Sequence, residues 1–271
     1  MSRSAPPLRG LLRLFASLLF LLPLLWLCSA SFYPPGAPLP TSWRLWPDNP
    51  TFSNFARIWQ IAPLARYSAN SLIIAAIAVP LTLLTASWAG YAMAHLPPAS
   101  QRRWLLISLA VLLVPAIALW VPRFLIYRPL HLLESRAALL APAVMGTSPF
   151  YVLMYFRAFR RLPAARYDAA RLDGASPFAI WRYVAMPAVR STTIAVALLS
   201  FIFYWSDYIS PLLYLRRDEH FTLPVGLQLL QQLNRAEWGL LMAAATVASL
   251  IPIALFSLVL WRLTRQKPGE W

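Results

Sequence analysis

Side chains capable of covalent or metal chemistry are few and scattered in this chain. His95, His131 and His220 stand in separate segments with no HExxH or i,i+4 pairing, so they do not form a zinc-ligand pattern. Cys28 is the sole cysteine, which rules out an internal disulfide and a cysteine metal cluster. Lys267 is the sole lysine and precedes Pro268, so a phosphate-cradling GxxxxGK[ST] loop is impossible, and no GxSxG elbow is present. If the chain moves a solute uphill, the energy comes from an ion gradient or from a separate partner. Ion-coupled carriers keep ionisable groups within their spans. Here the one candidate is Asp207, and that tilts the reading towards a partner.

The segment with the most information runs from Arg157 to Arg190, RAFRRLPAARYDAARLDGASPFAIWRYVAMPAVR. Pro163 suits a helix start, Asp168 to Leu172 are mostly good helix formers, and Gly174 after Asp173 is a stop able to take positive φ. Ser176 reads as an N-cap with Pro177 at the first helical position, opening a second short helix through Trp181 that ends before Pro187. Small residues at Ala169, Ala170 and Ala175 let another surface approach. Phe178, Trp181 and Tyr183 supply aromatic anchors of the kind enriched at interfaces. The pattern predicts a helix, a sharp glycine turn and a helix, a knob shaped for a cleft on a soluble partner.

The elements that must position this knob are membrane helices. Of the 271 residues 59% are hydrophobic and 12% charged, and the mean hydropathy is +0.58, values a soluble domain rarely reaches. A span takes roughly 20 apolar residues. Six stretches qualify: 11–29, 70–93, 104–127, 137–156, 192–215 and 240–261. Each is apolar around most of its circumference and too long for a barrel strand. The expected class is therefore an all-α integral membrane protein, with kinks at Pro80, Pro115, Pro142 and Pro252. The remaining organisation is a cytoplasmic segment over 1–10, outer loops over 30–69 and 216–239, a long cytoplasmic loop over 157–190 and a cytoplasmic tail over 262–271. With both termini inside, the cytoplasmic side holds fifteen of the 24 basic residues, Arg3, Arg9 and Lys267 among them, and three of the nine acidic ones, Asp168, Asp173 and Glu270. The cluster of Arg157, Arg160, Arg161 and Arg166 suits topology and anionic lipid. The formal charge of +15 sits beside apolar spans rather than on a basic face, which argues against nucleic acid. The first span reads as uncleaved, since Trp26 and Leu27 before Cys28 are bulky.

The run Tyr167, Asp168, Ala169, Ala170, Arg171, Leu172, Asp173, Gly174, Ala175, Ser176, with Pro187 fourteen residues after Asp173, resembles the EAA loop of binding-protein-dependent ABC importer permeases. Asp168 stands for the family's Glu, Trp181 for its Phe and Met186 for its Leu. Further matches run from about residue 50 to 256. They comprise Thr51, Asn54 and Phe55; Asn70, Ser71 and Leu72; Tyr91 and Ala92; Trp205, Asp207, Tyr208, Pro211 and Leu212; Thr222 to Leu227; Trp238, Gly239, Leu240, Met242, Ala243 and Ala244; and Pro252. Together they are similar to the carbohydrate-uptake type, specifically the smaller maltose permease subunit.

The resemblance implies a type I importer fold with six spans in the inner (cytoplasmic) membrane, and a transport subunit rather than an enzyme. Asp168, Ala169, Ala170, Asp173, Gly174, Ala175, Phe178, Trp181 and Pro187 would couple to the ATPase, and Asn70, Asp207 and Pro211 would lie on the pathway or outer gate. The implied partners are a second permease subunit forming a heterodimer, two copies of an ATP-binding subunit and a periplasmic or extracellular solute-binding protein. ATP and Mg would be bound by the ATPase, with no cofactor on this chain. The loop 215–238 would reach towards the binding protein. Two other readings stay open: a permease of the same superfamily for a polyol, glycerol phosphate, amino acid or peptide, and an ion-coupled secondary transporter.

Overall fold

The computed structural model describes residues 7–38, 45–233 and 237–265, with the backbone alone at 7–9, 263 and 264. Most of the segments expected over 1–10 and 262–271 lies outside the described residues, as do the side chains of Arg3, Arg9, Lys267 and Glu270. The described residues are all-helical and contain no strand.

The helices are α1 (Pro7–Ala30), α2 (Ser53–Ile61), α3 (Leu64–Ala94), α4 (Pro98–Leu112), α5 (Trp120–Tyr127), α6 (Arg136–Val144) and α7 (Pro149–Arg160). They continue with α8 (Ala164–Leu172), α9 (Pro177–Ile180), α10 (Met186–Ala188), α11 (Arg190–Ser206), α12 (Ile209–Tyr214), α13 (Leu223–Leu233) and α14 (Trp238–Arg265). Four stretches are long and apolar enough to cross a membrane: Gly10–Ala30, Leu64–Ala94, Arg136–Arg160 and Trp238–Arg262. Two bent pairs, Pro98–Leu112 with Ala116–Tyr127 (93°) and Pro177–Ala188 with Arg190–Ser206 (84°), raise the number to as many as six.

Prolines act differently from site to site. Pro80 and Pro252 are accommodated inside α3 and α14. Pro115 follows the end of α4, and a 3₁₀ turn over Ala116–Leu119 leads into α5, so the stretch 104–127 is two helices rather than one kinked span. The stretch 137–156 is interrupted between α6 and α7, where Gly146 (φ 73°) and Thr147 (φ 61°) are left-handed. In 192–215, α11 ends at Ser206 and α12 resumes at Ile209. Asp207 bridges that gap by accepting a hydrogen bond from the Ser210 N–H at 3.1 Å.

The chain divides into two compact units, Met1–Ala65 with Gly226–Ser257, and Arg66–Val225 with Leu258–Trp271. In the first unit, α1 exposes its leucines and phenylalanines from Leu11 to Leu25, a surface for lipid or another chain. Fully buried Asn54 on α2 donates to the carbonyls of Ser31 (3.0 Å) and Tyr33 (2.7 Å). Gly239 packs closely beside it, since a Cβ would stand 3.2 Å from the Asn54 amide nitrogen and the Tyr33 carbonyl oxygen and would push them apart by a few tenths of an ångström. Trp238 lies tilted against Tyr33, with ring centroids 4.6 Å apart, and donates its indole N–H to the Ala37 carbonyl at 2.8 Å. Arg57 closes the arrangement with a two-pronged pair to Glu237, at 2.5 and 2.9 Å.

In the second unit a stripe of small buried residues on α3, Ala78, Thr82, Ala86 and Gly90, faces α6 and α7. Small residues at i, i+4 spacing let membrane helices close on one another where no hydrophobic driving force exists. A Cβ on Gly90 would sit 2.6 Å from Tyr155 Cβ and 2.8 Å from the backbone of Val152 and Phe156. Two apolar clusters lie along this stripe. One gathers Ala78, Tyr127, Leu139, Ala143, Tyr204 and Tyr214; the other gathers Ala86, Tyr155, Phe159, Tyr167, Ile180 and Trp181.

Two measurements test these packings. Gly90→Ala overpacks the α3–α7 contact and should destabilise the solubilised protein by about 1–3 kcal/mol, read as a lower thermal midpoint. The Arg57 guanidinium holds the Glu237 carboxyl below its ordinary value of 4.5. A depressed carboxyl contributes stability that is complete above 4.5 and is lost as pH falls through the folded value. Glu237→Gln should therefore lower the neutral plateau of the stability profile and flatten its acid limb below pH 4.5.

Candidate coupling elbow

The segment after α7 folds as a helical elbow whose turn is built by backbone hydrogen bonds. At the end of α8 the Gly174 N–H bonds the Arg171 carbonyl (3.0 Å) and the Ala175 N–H bonds the Ala170 carbonyl (3.0 Å). This is a Schellman closure, and it needs the residue after the cap to be left-handed. Gly174 supplies that at φ 76°, with open space where a Cβ would be. Ser176 then caps α9 by accepting from the Ala179 N–H at 3.2 Å, with Pro177 at the first helical position.

The second helix does not stop before Pro187. A π-helical stretch, Trp181–Ala185, carries it into α10, and the chain turns by 84° only at Val189. Pro187 falls in the first turn of the resumed helix, where its missing N–H leaves no bond unmade.

Burial divides the expected coupling residues. Asp168, Ala169, Asp173 and Gly174 are exposed, Ala170 and Ala175 half-buried, and Phe178 and Pro187 exposed. Asp168 pairs with Arg171 one turn on, at 3.1 Å. Trp181, expected as an outward anchor, is buried within its own chain, with Trp88 of α3 at 5.7 Å and Phe178 at 5.4 Å between ring centroids. It fastens the elbow to the spans instead of facing a partner. Leu172 at the tip of α8 is the side chain that sequence reasoning passed over: it is 89% exposed, with Phe178 and Tyr183 also outward. Its signal was available, an apolar residue next to the turn in a polar stretch.

A second set of contacts fixes the elbow's base. His95, just past α3, lies against Tyr91 (4.3 Å) and edge-on to Tyr167 (4.7 Å), and its Nδ1 is 2.9 Å from the Tyr91 carbonyl oxygen. Tyr167 donates to the Phe159 carbonyl at 3.4 Å, and burial pushes its phenol up to about 12. Arg157, Arg160, Arg161 and Arg166 are exposed around this base.

The expected pathway residues occupy structural posts. Buried Asn70 donates to the carbonyls of Glu219 (2.8 Å) and Phe221 (3.0 Å) and accepts from Arg136 (2.8 Å), so its amide ties the start of α3 to the start of α6 and the 215–222 loop. Ser71 beside it accepts from the Leu223 N–H at 2.9 Å. Pro211 is fully buried in α12, close to the cap that Asp207 provides. Arg136 gave no sign of this role in the sequence, because its partner is 66 residues away. Among the described residues no three His, Cys, Asp or Glu side chains stand together as a metal site.

This chain belongs to the family of binding-protein-dependent transport system inner membrane components, which it matches over residues 78–266. It is an ABC-transporter permease, a transport subunit that crosses the membrane several times. Among curated relatives it is 29% identical to the diacetylchitobiose uptake system permease of Streptomyces coelicolor, over 91% of this chain and 82% of that one. It is 30% identical to the arabinooligosaccharides transport system permease of Halalkalibacterium halodurans, over 93% and 92%. With the trehalose transport system permease of Mycobacterium tuberculosis it shares 29% identity, over 89% and 88%. Its fold is that of a chain in the crystal structure of a bacterial ABC transporter involved in alginate import, with a TM-score of 0.73, 20% identity and coverage of 97% and 98%.

The two aromatic residues of the elbow should separate on truncation. Trp181→Ala empties a buried site and should destabilise the protein by about 3–5 kcal/mol. Phe178→Ala should change stability by no more than about 0.5 kcal/mol in the same unfolding measurement.

Proposed function

We propose that this chain is one permease subunit of an ATP-driven, binding-protein-dependent importer for sugars or oligosaccharides. The observation that carries the coupling role is the elbow: a Gly174 turn held by two backbone bonds, with Leu172, Asp173 and Phe178 outward and Trp181 locked inward. The solute class rests on relatives whose names specify diacetylchitobiose, arabinooligosaccharides and trehalose.

In this reading the chain carries no fuel, so its inward-open and outward-open states must be biased by something that binds them unequally. Two copies of a separate ATP-binding subunit, which hold ATP and Mg, close on one another and move the elbow. A second permease completes the pathway, and a solute-binding protein docks on the outer side, within reach of the loop 215–238. Both termini lie in the cytoplasm, and the membrane is the inner one. Arg157, Arg160, Arg161 and Arg166 then face the anionic inner leaflet, each contributing about 1 kcal/mol near the surface. This chain needs no cofactor of its own.

Gly174→Pro fixes φ near −65° where the turn needs a positive value. The variant should insert normally, lose ATPase co-purification and abolish uptake in cells given a panel of di- and oligosaccharides. Normal co-purification and uptake in that variant would remove the elbow from the coupling path. Uptake of polyols or peptides alone would move the solute class.

A further inference from the structure

The interruption between α6 and α7 is where the second unit changes character. Above it, counting from Asn70 towards Gly90 along α3, the first apolar cluster joins α6 to α5 and α12 through Leu139, Tyr127 and Tyr214. Below it, the second cluster joins α7 to the elbow through Tyr155, Phe159, Tyr167 and Trp181. Between the clusters lies a layer of hydroxyls. Thr82 and Thr147 are 2.5 Å apart, Thr147 and the Tyr204 phenol 2.7 Å apart, and Thr85 donates to the Ala143 carbonyl at 2.7 Å.

Three features set this layer apart from the clusters on either side of it. The helical ladder is cut between Val144 and Pro149, so α6 and α7 are not one rod. Thr147 is left-handed at φ 61°, an outlier for a β-branched residue that persists only where its surroundings hold it. It is held by its own N–H, which closes the end of α6 on the Pro142 carbonyl at 2.7 Å, and by the hydroxyls of Thr82 on α3 and Tyr204 on α11. Irregular backbone at membrane depth has to be lodged in protein, and this stretch is lodged by buried hydroxyls, each able both to donate and to accept, so that a bond between them can reverse direction without its side chain moving. Interdigitated aliphatic packing, by contrast, moves only as a block.

We infer that the α6–α7 joint is an internal hinge, and that Thr147, with Thr82 and Tyr204, is a positioning residue for transport that sets the angle between the elbow-bearing half of the subunit and its other half. The cluster around Tyr167 and Trp181 carries elbow movement as a rigid body as far as the hydroxyl layer; there the chain of hydroxyls re-forms in a second register. The inference rests on the elbow being the coupling element.

The test uses the importer assembled with its partner subunits, with Cys28→Ser and spin labels at Leu130→Cys and Arg161→Cys, one exposed position on each side of the joint. The label-to-label distance should shift between the nucleotide-free and ATP-bound complex. Thr147→Val and, separately, Tyr204→Phe should abolish the shift, and Thr147→Ser should restore it, with assembly by size-exclusion unchanged. An unchanging distance in the parent, or an equal shift in the valine and phenylalanine variants, overturns the hinge. A Gly174→Pro complex that still shows the shift overturns the elbow reading instead, so the two fail separately.

Discussion

A backbone amide or carbonyl inside a bilayer has no water to bond, and the architecture of this protein follows from that constraint. Each place where a helix stops at membrane depth needs a local substitute for the lost ladder. At the α11–α12 gap the substitute is the Asp207 carboxylate on the Ser210 N–H. Between α6 and α7, the Thr147 N–H bonds the Pro142 carbonyl at 2.7 Å while its hydroxyl meets Thr82 and Tyr204. At both interruptions a polar side chain, Asp207 in one and Thr147 in the other, bonds across the broken end.

The elbow obeys a different rule, because it lies beyond the spans and needs a stiff shape more than a dry one. Its stiffness comes from two sources. The Gly174 closure and the Ser176 cap define the turn from within. Trp181, Ile180 and Tyr167, all buried, clamp it to α3 and α7. A load applied at Leu172 therefore reaches the spans through aromatic contacts, with no flexible linker to absorb it.

What could be read from the sequence was whatever local chemistry dictates. The apolar stretches announced helices, and Asp173, Gly174, Ser176 and Pro177 announced the turn and the next helix start, each for a reason internal to a few residues. Pro187 misled because a proline was read as a stop, whereas the π-helical stretch before it offset the missing N–H. Trp181 misled because an aromatic residue looks alike in sequence whether it faces inward or outward. Asn70 was expected on the pathway or outer gate, and its three hydrogen-bond partners could not be read because they lie 66 to 151 residues away, a distance that no local pattern spans. The discontinuity at Thr147 carried a local signal that was passed over, Gly146 as a helix stop with Ser148 and Pro149 as the next helix start, the same signature read at Gly174, Ser176 and Pro177.

The tip of the elbow combines small residues with a few bulky ones: Ala169 and Gly174 present main-chain contour, and Leu172, Phe178 and Tyr183 protrude beside the exposed Asp168–Arg171 pair. Recognition by contour is tolerant of sequence drift on the receiving side, since a groove of the right width suffices.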